Sequence, residues 1–99
     1  MQFLIIGKDG ADAQALERRM ATRAAHLAYS GENLANLIIG VATLNEAGQM
    51  NGSTFIVDFP DRAALDAWLA KEPYVVQGVW QEVTVTPCKV GPSFVNRAA

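Results

Sequence analysis

Apolar and polar positions along this chain recur with two periods, and the switches between them predict six elements. Residues 3–6 (FLII) form a continuously apolar run ended by Gly7-Lys8-Asp9-Gly10, which predicts a buried strand and then a loop. Over residues 16–29 (LERRMATRAAHLAY) the period becomes helical. On a wheel of about 100° per residue measured from Arg19, Leu16, Leu27 and Met20 fall at roughly 60°, 80° and 100°, with Ala13 and Ala24 just beyond. That stripe predicts a helix laid against the core, with Arg23, Arg19 and His26 along one border. Asp12 is expected as its N-cap or first-turn acid. Its end is expected near Ser30-Gly31, with the glycine in the left-handed cap conformation.

Residues 34–44 (LANLIIGVATL) read as a second strand, with Gly40 marking close packing or a bulge. A polar loop is expected over residues 45–52. Phe55, Val57 and Phe59 then alternate with Thr54, Ile56 and Asp58, which predicts a third strand over 53–59 with one face exposed. Asp61 is expected to cap a second helix whose buried stripe is Ala64, Leu65, Trp68 and Leu69. This helix must stop at Glu72-Pro73, because a residue before proline is pushed out of the α region. Residues 74–79 form a short apolar connection that proline can open as a single helical turn. Val83 and Val85 alternate with Glu82, Thr84 and Thr86 in a fourth strand over 80–90. The order βαββαβ predicts an α+β, ferredoxin-like domain over residues 1–90, with 91–99 as a C-terminal tail. Its four-stranded antiparallel sheet would carry two helices on one face. The open face, with Ile56 on it, is expected to pack against a second copy, giving a homodimer.

Composition narrows the function classes. Half the 99 residues are hydrophobic (51%) and 18% are charged, which suits one globular domain. A net charge of −2 without a basic patch argues against nucleic acid. No apolar run approaches the roughly 18 residues of a membrane span. The start, MQFLIIGKDG, lacks a basic region and so does not read as a signal peptide. Cys88 is alone, which fits a reducing compartment and, with the rest, a cytoplasmic protein. One His and one Cys make no metal cluster of the usual spacing, and no cofactor motif is present.

Candidate chemistry gathers near the helix ends: His26, the Glu72-Pro73-Tyr74 stop, and Ser53 at the entrance to the third strand. Each also has a structural explanation on its own. A lone His can be a satisfied rim residue, Glu72 a solvated helix-end acid, Tyr74 a core aromatic with a wet hydroxyl, and Ser53 a turn residue. Arg19 and Arg23 are either snorkelling side chains or a clamp for an anionic ligand.

LERRMATRAAHLAY, NGSTFIVDF and ALDAWLAKEPYVVQGVWQEVTVTP, in that order, resemble the YciI-like (YCII) family over residues 3–87. The shared features are an R-x-x-H-L helix, a G-S strand entry and an acid-Pro-Tyr followed by a small-residue turn. The resemblance implies a dimeric α/β barrel and a site pairing a histidine with an acid, here His26 and Glu72, with Ser53 and Tyr74 at neighbouring motif positions. Two features depart from the pattern. Glu72 stands where the family usually has Asp, and Gly40-Val41 lacks the common Gly-Pro. The expected function is cofactor-free general acid–base chemistry, an elimination or isomerisation, on a small organic substrate. Ser53 and Tyr74, with Arg19 or Arg23, would bind that substrate. The competing expectation is a non-catalytic dimeric module that binds a small ligand. A cofactor-free oxygenase of the same superfold is a third.

Overall fold

The computed structural model describes residues 1–94, so positions 95–99 of the expected tail lie outside the described residues. The chain runs β1 (Gln2–Asp9), α1 (Ala15–Glu32), β2 (Leu37–Leu44), β3 (Met50–Asp58), α2 (Arg62–Lys71), α3 (Pro73–Val76) and β4 (Trp80–Cys88). The sheet order is β2-β3-β1-β4 with every neighbouring pair antiparallel. Each βαβ unit therefore straddles one strand, the split arrangement of the ferredoxin-like fold.

Alternation sorts the strands cleanly. Phe3, Ile5, Phe55 and Val57 face the helices and, with Leu65, Trp68 and Trp80, form the buried core. Leu4, Ile6 and Ile56 take the opposite face; Ile39 lies across from Ile56 and Val41 across from Thr54, so they share it. In β2, Leu37 opposes Val57 and Ile39 opposes Ile56, which leaves Ile38 as the extra residue of a β-bulge. Gly40 is needed for close packing: a Cβ there would lie 2.5 Å from Phe55 Cε1.

Several predicted boundaries move. β1 runs on through Gly7 to Asp9, because the Trp80 indole lies where a side chain at Gly7 would go. The loop before β3 is shorter than expected. Asn45 Oδ1 accepts from the amides of Ala47 and Gln49 and closes the turn, so β3 starts at Met50. Gln14, not Asp12, is the N-cap residue of α1, and Asp12 pairs instead with Arg18. α1 does not stop on Gly31. It runs to Glu32, and Asn33 Nδ2 donates to the carbonyl of Tyr29 beyond its end. Asp61 does cap α2, accepting from the Ala64 amide at 2.8 Å.

The largest correction concerns the rotation of α1. Its buried residues are Arg19, Thr22 and His26, while Met20 and Leu27, expected in the core, are 49% and 48% exposed. Each buried polar side chain has a partner: Arg19 finds Asp9 and Ser53, His26 finds Glu72, and Thr22 donates to the carbonyl of Arg18. Paired polar groups tolerate burial, and here that pairing, not hydropathy, sets the face the helix turns inward.

Candidate functional site

Glu72 holds the site together. Its backbone is extended (φ −66°, ψ 122°), as a residue before proline requires, and this ends α2 and starts α3. The side chain folds back, and Oε1 accepts from the Tyr74 amide at 3.1 Å, capping α3. The same carboxylate meets His26 Nδ1, at 2.8 Å from Oε1 and 3.0 Å from Oε2. Glu72 is only 1% exposed, so the solvated helix-end reading does not hold for it. The extra methylene relative to Asp leaves the carboxylate able to cap and to hold the imidazole at once.

The His26 ring is fixed on its faces as well. Tyr74 stacks on it, centroids 3.9 Å apart and 7° from parallel, while Phe55 and Trp80 meet it in T-shaped contacts. A carboxylate against Nδ1 places the proton on that nitrogen and leaves the Nε2 lone pair as the working end. His26 lines a cavity of about 410 Å³ between α1 and β2, together with Arg19, Arg23, Ser53, Phe55 and Tyr74.

Arg19 sits behind the aromatic stack. Its Nη1 donates to Asp9 Oδ1 at 2.9 Å and Oδ2 at 3.2 Å, and its Nη2 donates to Ser53 Oγ at 2.8 Å. The guanidinium carbon lies 4.7 Å from the centre of the Tyr74 ring, a cation over an aromatic face. Trp80 Nε1 also donates to Ser53 Oγ, at 3.3 Å. Burial pushes the Asp9 carboxyl above its ordinary range, and the facing Arg19 opposes that shift. Burial likewise raises the Tyr74 phenol, with Arg19 and Arg23 acting against it, so the hydroxyl stays protonated at neutral pH. That hydroxyl has no hydrogen-bond partner among the described residues.

All six residues singled out from the sequence therefore line one cavity or, for Glu72, stand directly behind it. Arg19 and Arg23 differ in kind: both terminal nitrogens of Arg19 are committed inside the protein, whereas Arg23 is exposed at the cavity. Asp9 and Trp80 were missed. Asp9 continues the inward alternation Phe3, Ile5, Gly7, and that period marks it once β1 is allowed to run past the glycine. Trp80 gave no signal, since its role depends on a contact with Ser53 across the fold. Among the described residues, no three of His, Cys, Asp or Glu converge to hold a metal ion.

The chain is similar to known proteins along most of its length. Protein YciI of Escherichia coli is 35% identical over 97 residues, spanning 90% of this chain and 97% of the relative. An uncharacterized protein of Haemophilus influenzae is 36% identical over 98 residues. Among solved structures, the 5-chloro-2-hydroxyhydroquinone dehydrochlorinase of Burkholderia phenoliruptrix, in complex with 2,5-dihydroxybenzoquinone, superposes with a TM-score of 0.82 at 28% identity, covering 94% of this chain and 98% of that one. A dimeric ferredoxin-like protein of unknown function from Jannaschia, at 17% identity and a TM-score of 0.54, shares the fold alone and spans 90% of this chain and 98% of its own. Residues 1–89 match the model of the YCII-related domain, and with relatives of this similarity along nearly their whole length, the chain belongs to the YCII-related family.

Proposed function

We propose that this protein is an acid–base enzyme needing no cofactor, in which His26 moves a proton on a small organic substrate bound between α1 and β2. The observation that carries this reading is the double contact of Glu72 with His26 Nδ1, at 2.8 and 3.0 Å, with the imidazole clamped by Tyr74. A carboxylate in that place fixes the tautomer and stabilises the imidazolium that forms when Nε2 takes a proton. In an elimination, Nε2 removes a proton from carbon, the C–H electron pair becomes the new double bond, and the leaving group departs with its own pair. In an isomerisation, the same imidazolium returns the proton at another carbon. Ser53 and Tyr74 line the same cavity as His26 and would hydrogen-bond the substrate oxygen on which charge accumulates. The similarity to a dehydrochlorinase favours elimination.

The test is halide release from a chlorinated hydroxyhydroquinone, with His26→Asn and Glu72→Gln beside the wild type. The His26 variant should lose about 10²- to 10⁴-fold in turnover with an unchanged circular dichroism spectrum, and the Glu72 variant less. Retained turnover in His26→Asn would overturn the assignment. A wild type that binds the compound and returns it unchanged would instead support the non-catalytic ligand-binding module.

We also propose that the working form is a homodimer joined through the open sheet face, where Leu4, Ile6, Ile39, Val41 and Ile56 form an apolar surface.

A further inference from the structure

The polar lining of the cavity is rich in donors. A serine hydroxyl has two lone pairs and one proton to give. Ser53 Oγ already accepts from Arg19 Nη2 and from Trp80 Nε1, so its remaining capacity is to donate. Tyr74 is buried and unpartnered at its hydroxyl among the described residues, and it too is a donor while protonated. Arg23 can only donate. It stands three residues before His26 on α1 and lines the same cavity. The other described arginines are all matched: Arg18 with Asp12, Arg19 with Asp9, Arg62 with Asp66. Arg23 has no acid partner among the described residues.

Ser53, Tyr74 and Arg23 thus offer three donors to the cavity that His26 and Ser30 also line, and the only unmatched guanidinium of the described residues is one of them. A neutral ligand would leave Arg23 without a counter-charge. A negatively charged oxygen would satisfy Arg23 and draw the Ser53 and Tyr74 protons toward it. The rest of the wall, including Leu27, Leu34, Ile38 and Phe55, is apolar, and about 410 Å³ suits a molecule of one or two rings.

On the reading that this cavity is the acid–base site, we propose that its ligand is a small organic anion with its charge on oxygen, anchored by Arg23 and oriented by the Ser53 and Tyr74 hydroxyls. Arg19 takes no part in holding that charge, because Asp9 neutralises it. Arg23 is the residue that selects for an anion.

Because His26 is the only histidine, its imidazole NMR signals report on the cavity without ambiguity in untagged protein. The probes are benzoate and its neutral isostere benzamide, titrated at matched ionic strength. Benzoate should shift the His26 signals saturably at concentrations where benzamide does not. Arg23→Gln should weaken benzoate about tenfold, with Arg23→Lys between the two and the benzamide response unchanged. The proposal is overturned if benzamide binds as tightly as benzoate, if Arg23→Gln binds benzoate like the wild type, or if neither probe moves His26. Its failure is separable from that of the acid–base reading. Turnover that depends on His26 but has an unchanged KM in Arg23→Gln sinks only the anion anchor. Benzoate binding through Arg23 with no turnover of any chlorinated substrate sinks only the enzyme.

Discussion

At the scale of single residues, the site is a column of charge and aromatic faces: Arg19 over Tyr74, Tyr74 over His26, and Glu72 at the imidazole edge. Tyr74 ties the column together, and its phenol gives a pH signature. Burial raises the pKa of both tyrosines, Tyr74 and Tyr29, above the ordinary 10.0, with the Glu72 charge adding to the rise. A phenol with a raised folded pKa holds its proton after the unfolded chain has released it. Its stabilising contribution is therefore complete below about pH 10 and is lost as the pH climbs toward the folded values. The melting temperature should fall above about pH 10, and Tyr74→Phe should flatten that decline while leaving neutral-pH stability nearly intact. An identical alkaline slope in the variant would show that Tyr74 is not buried as described.

At the scale of elements, Gly40 is where β2 meets the core. A methyl group there would fall 2.5 Å from Phe55 Cε1 and force the ring, which meets His26 edge-on, out of its place. Gly40→Ala should cost about 1–3 kcal/mol, read as a lower urea midpoint at unchanged slope. An unmoved midpoint would mean that β2 gives way instead. The strands, α2 and the proline-started turn were legible in the sequence because their signals are local: period-two alternation, Asp61 before a helix, Glu72 before Pro73. The rotation of α1 was not legible. Hydropathy places Met20 and Leu27 inward, and only partners far along the chain, Ser53 and Glu72, make it favourable to bury Arg19 and His26 in their stead. The pairing of His26 with Glu72 came from a family resemblance. Periodicity alone left His26 on the rim and Glu72 in solvent.

At the scale of the whole molecule, helices cover one face of the sheet while the other presents aliphatic side chains flanked by Thr54, Thr84 and Thr86. If that face joins two copies, Ile6→Lys with Ile56→Asp should halve the mass measured by light scattering and leave the circular dichroism spectrum unchanged. A dimer that survives both substitutions would place the contact elsewhere. The inverted helix α1 has a consequence for anyone who alters this protein. A spectroscopic label or a solubilising charge can enter at Met20, a position that hydropathy would mark as forbidden. A library built on the ordinary rule would spare the methionine and spend its diversity on Arg19, the side chain whose loss strands a buried aspartate.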